Sequence, residues 1–285
     1  MWVYFLLGSI LVFLLVLVSV YFAQMFHVPT DIQIPEYRQG MRVAVIVTGY
    51  FGNTNRETLT QLKTHVLEPL KADCFIVDDI SDGGHDAALE ILGPRAVHRC
   101  DYSVQMDTPL YSLTKNSHFF EMFSKMNDGA RLRREYEEKH GITYDIVIVM
   151  RPDLVFITPI PDAILRDVLA NKEAIFCPSK DVYHDAVDTY GFSDQLFMGS
   201  PRAIDSVCVS TAEIELVLND LTNPLCVMNE YIIYKYCERK GIQIIPFSMS
   251  FCISRFCTMT YGEWIQEALD KKGVVMSKDV CSIIS

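Results

Sequence analysis

Thr143-Tyr144-Asp145-Ile146-Val147-Ile148-Val149-Met150-Arg151-Pro152-Asp153-Leu154-Val155-Phe156 holds the junction that decides the fold: a β-branched apolar run stops at Arg-Pro-Asp. A short, continuous apolar run reads as a strand buried on both faces of a parallel sheet. Pro152 has no N–H to donate, so the strand ends there. Arg151 and Asp153 are thereby placed at its carboxyl end, where ligands bind in open α/β sheets. A guanidinium can fork onto phosphate oxygens, and a carboxylate can hold a hard divalent cation.

The same logic runs through the rest of the body. Arg42-Val43-Ala44-Val45-Ile46-Val47-Thr48 is a second buried run, ending in the small-residue turn Gly49-Tyr50-Phe51-Gly52-Asn53. Thr54-x-x-Glu57 has capping-box spacing and starts a helix expected to reach Leu70. Cys74-Phe75-Ile76-Val77 follows as a strand that ends at Asp78-Asp79. Strand, turn, helix, strand is the βαβ unit of a parallel sheet. Further strands are expected near 96–99, 174–177, 195–199 and 242–245. A long helical region spans 109–140, with a break expected near Asn127-Asp128-Gly129 and a charge-dense second half read as a solvated face. Ser200-Pro201 and Asn223-Pro224 each open a helix. The expected fold is α/β, with a single Rossmann-like domain around a mainly parallel sheet.

Composition narrows the partners. The 285 residues are 50% hydrophobic and carry a formal charge of −11, which argues against a nucleic-acid partner. The nine cysteines are scattered without a C-x-x-C pair, so a structural zinc site is not expected, and no N-x-S/T sequon occurs. Residues 2–23 contain no charge, and a helix of that length reaches roughly 33 Å, enough to cross a bilayer core. There is no basic residue before the span, and Tyr21 sits where signal-peptide cleavage after Ala23 would want a small residue, so residues 1–26 read as an uncleaved anchor. Residues 27–40 read as a stalk and 41–285 as the folded body. Arg38 and Arg42 after the span lean toward a cytoplasmic body, but the side of the membrane is left open.

Four loops would meet at the carboxyl edge: Thr48 to Asn53, Asp78-Asp79 with Asp82, Arg151-Pro152-Asp153, and Gly191-Phe192-Ser193-Asp194-Gln195. Asp194 could act there as a general base. Ser112 and Lys115 precede the central strand and could reach phosphate or ribose. His85-Asp86 and His184-Asp185 read as polar loop pairs rather than metal ligands.

In order along the chain stand Thr48-Gly49-Tyr50-Phe51, Tyr111-Ser112-Leu113-x-Lys115, Tyr144 through Leu154, and Ser193-Asp194-Gln195-x-Phe197-x-Gly199-Ser200. This series resembles nucleotide-sugar-dependent glycosyltransferases of the GT-A type, most of all a sparsely characterised branch found in bacterial surface-polysaccharide clusters and large DNA viruses. The resemblance covers about residues 41–247. It implies a nucleotide-diphosphate sugar donor, a glycan or other hydroxyl acceptor, and Mn²⁺ or Mg²⁺. It places Thr48, Gly49, Tyr50 and Phe51 against the nucleotide, with Asp78, Ser112, Lys115, Arg151 and Gln195 as further donor-binding candidates. Asp153 takes the position of the metal-binding carboxylate, and Asp194 and Arg151 are the catalytic candidates. Two positions depart from the family pattern. Arg151 stands in place of the first acid of an Asp-x-Asp pair, and Gly52 stands where relatives often carry Arg. The rival functions are a nucleotidyltransferase or other sugar-nucleotide enzyme, and an anchored nucleotide- or glycan-binding protein without turnover.

Deleting residues 1–26 is expected to move the remaining chain from the membrane pellet to the soluble fraction; fractionation of the two forms by ultracentrifugation checks this.

Overall fold

Six consecutive residues of β1 (Val43–Thr48) are buried, as a strand covered on both faces must be. The computed structural model describes residues 40–102, 117–156, 158–178, 193–219, 229–249 and 251–253. β1 leads through a 3₁₀ turn (Phe51–Asn53) into α1 (Arg56–Leu62). That helix runs on through a π-helical segment (Lys63–Leu67) to a last α-turn (Glu68–Leu70). Pro69 accounts for the widened turn: its ring crowds the carbonyl four residues back and it has no N–H to give. The helix starts one residue later than the capping-box spacing predicts, because Asn55 is the N-cap and its side chain accepts from the Thr58 N–H at 2.8 Å.

The chain continues as β2 (Asp73–Asp79), α2 (His85–Leu92), β3 (Ala96–Cys100), α3 (Ser117–His140), β4 (Ile146–Met150) and β5 (Leu154–Phe156). Then follow α4 (Asp162–Ala170), β6 (Ala174–Pro178), β7 (Leu196–Gly199), α5 (Pro201–Val207) and α6 (Thr211–Asn219). α7 (Asn229–Lys240), β8 (Gln243–Phe247) and β9 (Phe251–Ile253) complete the described elements. Ser200 caps α5 as expected, accepting from the Ala203 N–H with Pro201 at the first helical position.

The main sheet has the order β3-β2-β1-β4-β7-β6-β8. β3, β2, β1 and β4 are parallel neighbours, β7 runs antiparallel between β4 and β6, and β6 pairs parallel with β8. This is a mostly parallel α/β sheet flanked by helices, as the sequence predicts. β8 carries Pro246 and lies at an edge, where a missing N–H is tolerated. β5 and β9 form a separate antiparallel pair that the sequence pattern does not foretell.

Alternation along the strands divides the core. Ala44, Ile46, Phe75, Val147, Val149, Ile175 and Phe197 share one cluster with residues of α3, α5, α6 and α7. α3 is unbroken at Gly129, contrary to the break expected there. The residue serves a packing need instead: a Cβ at Gly129 would lie 2.3 Å from Ile46 Cγ2, so its absence lets the helix settle onto β1. The charged half of α3 is likewise not wholly solvated. The Arg133 side chain is 0% exposed, donating through Nη1 to Glu137 and through Nη2 to both oxygens of Asp205 on α5, at 2.6 and 2.7 Å. This fork ties α3 to α5 across the core.

The expected anchor at 1–26 lies outside the described residues, as does most of the stalk. Among the described residues no helix is long and apolar enough to cross a membrane.

Asp205→Ala leaves the Arg133 guanidinium buried with Glu137 as its remaining ion-pair partner, and is expected to cost about 3–5 kcal/mol, read from the urea denaturation midpoint.

Candidate functional site

Register brings the candidate loops to one edge. Thr48 pairs opposite Val77 and Val47 opposite Met150, so the residues after β1, β2 and β4 emerge side by side. β7 is antiparallel, with Met150 opposite Leu196, so its start, not its end, joins this edge. Asp194 and Gln195 therefore stand beside Arg151, and the Arg151 N–H donates to the Gln195 carbonyl at 3.0 Å.

The turn after β1 is held by a close approach. Gly49 has φ +150°, and a Cβ there would lie 2.7 Å from Pro152 Cδ. Only glycine lets this backbone rest against the Pro152 ring. Thr48 is buried, Tyr50 is 49% exposed, and Phe51 is sealed inside. The Phe51 N–H donates to Asp82 Oδ2, and Asp82 Oδ1 accepts from the Gly84 N–H at 3.0 Å. Asp82 thus stitches the β1 turn to the start of α2.

Asp78 and Asp79 occupy the last two positions of β2. The Asp78 side chain is 0% exposed, with Oδ2 2.8 Å from His85 Nδ1 and 3.5 Å from Arg99 Nε. Its Oδ1 is buried with no partner as an ionised group. Burial, then a hydrogen bond and charge repulsion from Asp82, push the Asp78 carboxyl up to about 7. Asp79 behaves oppositely. Burial alone would raise it, but hydrogen bonds from Ser81, and one from the Tyr102 N–H at 3.2 Å, outweigh that and hold its carboxylate below the usual range. Burial, followed by the Arg99 charge, pulls His85 below its ordinary value. Asp78, expected at the donor-binding rim, is therefore an interior group that supports it.

Arg151 and Asp153 pair with each other. Arg151 Nε donates to Asp153 Oδ1 at 2.9 Å and Nη2 to Oδ2 at 2.7 Å. The arginine side chain is 26% exposed and the aspartate's 4%. Asp153 was expected to hold Mn²⁺ or Mg²⁺, and this geometry does not fit that role: both carboxylate oxygens already accept from a guanidinium, inside the fold. Among the described residues no group of three His, Cys, Asp or Glu side chains could hold a metal ion.

No protein-family model and no curated protein matches the chain. The site must be read from its own chemistry.

The edge unites Thr48, Gly49, Tyr50, Phe51, Asp78, Arg151, Asp153, Asp194 and Gln195. Ser112 and Lys115 lie outside the described residues, as do His184 and Asp185. Sequence reading missed Lys125, a buried lysine on α3 whose Nζ lies 3.5 Å from the Gly49 carbonyl and 5.1 Å from the Tyr102 ring centroid. A lysine in mid-helix reads as solvated, and its one signal was its place among Phe120, Phe123 and Met126 on a buried stripe. Tyr102 was missed as well; its hydroxyl donates to Asp128 at 2.8 Å.

Asp78 gives the fold a pH signature. Between its ordinary 3.8 and about 7 the folded chain holds a proton that the unfolded chain has lost, so stability falls as pH rises through this window and levels off above it. Asp78→Asn is expected to remove that fall, so that the variant gains stability relative to the parent from about pH 4 to pH 7. Urea denaturation of both proteins across the window checks it.

Proposed function

We propose that this chain is a glycosyltransferase that moves a sugar from a nucleotide-diphosphate donor to a glycan or other hydroxyl acceptor, with its body held at a membrane by residues 1–26. The observation that carries the reading is the place of Arg151. The chain leaves β1 toward β2 on one side and returns as β4 on the other, so the β1/β4 boundary is the sheet's topological switch point. Ligands of open α/β sheets bind outside the strand carboxyl ends at such a point. There the turn at 48–53 and the Arg-Pro-Asp turn touch through Gly49 and Pro152, with a part-exposed guanidinium beside them.

The residues then take these roles. The 48–51 backbone lies along the nucleotide. Tyr50 and Ile80, 49% and 55% exposed at the ends of adjacent strands, offer apolar surface to a base or sugar face. Phe51, buried and bonded through its N–H to Asp82, holds the turn's shape. Arg151 stabilises the negative charge that grows on the departing nucleoside diphosphate. Asp194 takes the acceptor hydroxyl's proton if the reaction inverts at the anomeric carbon. Gln195 fixes the Arg151 backbone and so acts as a positioning residue.

The Arg151–Asp153 pairing also favours a second reading, a binding protein of the same fold without turnover, because the acid expected to hold the metal is occupied. Turnover separates the two.

A panel of nucleoside diphosphates and their sugars is expected to contain one member that raises the melting temperature, with stabilisation near 2.7 kcal/mol at about a hundred times its dissociation constant. Asp194→Ala is then expected to lower kcat by roughly 10²–10⁴ with little change in donor affinity. Absence of a shift with every nucleotide overturns the reading, and an equal loss in kcat and donor affinity removes Asp194 as the base.

A further inference from the structure

We propose that Arg151, oriented by the buried carboxylate of Asp153, does the work of a divalent cation at this site, so that the donor's diphosphate is bound without metal. The inference rests on the transferase reading and deepens it by naming what meets the diphosphate.

Four observations carry it. The first is the fork itself: two parallel N–H···O bonds of 2.9 and 2.7 Å occupy both oxygens of Asp153. A cation approaching those two oxygens meets the guanidinium's own positive charge on the same carboxylate, and drawing the arginine away costs the buried aspartate its paired charge. The second is the asymmetry of exposure, 26% for the arginine side chain against 4% for the aspartate. The side chain that meets solvent is the positive one. The third is the fate of the neighbouring acids. Asp79 accepts from Ser81 and Tyr102, Asp82 from Phe51 and Gly84, and Asp78 lies on His85, so the acids of the adjoining loop are engaged in holding that loop. The fourth is rigidity. Pro152 is wedged against Gly49, and the Arg151 N–H is bonded to the Gln195 carbonyl. A guanidinium fixed through its neighbours' backbone and through a bidentate carboxylate is preorganised, and preorganised charge is what stabilises a developing anion.

In the step, the acceptor oxygen forms a bond to the anomeric carbon as that carbon's bond to the diphosphate oxygen breaks. The electron pair of the broken bond stays on the diphosphate, beside Arg151. In an inverting reaction the acceptor proton goes to Asp194. Asp153 touches neither donor nor acceptor and is a positioning residue.

The test uses the full-length chain in detergent and calorimetric titration with UDP, GDP, CDP and ADP, each in EDTA and in Mn²⁺. One nucleotide is expected to bind with affinities within about threefold in the two conditions. Arg151→Lys, which keeps the charge but loses the planar fork, is expected to bind it about tenfold more weakly in both. Asp153→Asn is expected to weaken binding by a similar factor in EDTA and in Mn²⁺, because it frees the guanidinium without removing it. A gain of more than about tenfold on adding Mn²⁺ to the parent, lost in Asp153→Asn, overturns the inference and leaves the transferase reading standing. Failure of every nucleotide to bind in either condition overturns both. Circular dichroism of each variant shows that it is folded, and Arg151→Lys decides the matter alone if Asp153→Asn is not.

Discussion

The rest of the edge depends on the contact between Gly49 and the Pro152 ring. Two parallel strands at the centre of a sheet, β1 and β4, end together, and the loops that follow them lead to α1 and β5, which pack against each other. A side chain at 49 would hold those loops away from one another, since its first carbon would fall 2.7 Å from the proline ring. With glycine there, the turn at 48–53 and the Arg-Pro-Asp turn are packed surfaces of one wall. The proline contributes twice, once by ending the strand and once by giving the glycine a rigid face to lie on.

Behind that wall the polar groups form a supporting layer. Asp82 grips the Phe51 N–H, Asp78 sits beneath with His85 and Arg99, and Asp79 receives Ser81 and the Tyr102 N–H. Lys125 reaches up from α3 toward the Gly49 carbonyl. Buried polar groups cost free energy unless they are satisfied, so a layer this dense constrains the loops above it to one arrangement. At the far side of the core Arg133 gives its two Nη groups to Glu137 and Asp205, while its Nε is buried without a hydrogen-bond partner.

Much of the fold was legible because buried strands announce themselves. Residues 43–47, 74–77 and 146–150 are apolar runs that water would reject in any other setting, and each ends at a turn or an acid that marks its limit. Ser200 and Pro201 announced α5 by local chemistry. Local rules failed where packing chose between local options. Gly129 looks like a helix breaker and is a contact point, Thr54 looks like a cap and yields to Asn55, and Arg133 looks solvated and is enclosed. The β5–β9 pair joins residues about a hundred positions apart, and nothing in either segment names the other.

By itself the sequence determined the parallel core, the halt at Pro152 and the set of loops that gather at one edge, because hydrophobic runs and the chemistry of proline and glycine act within a few residues. Which of the gathered groups face outward was decided only by tertiary structure. Asp153 turns in to Arg151, Asp78 sinks beneath the rim and Tyr50 stays at the surface, since burial and charge pairing are set by neighbours that the fold supplies and the chain order does not.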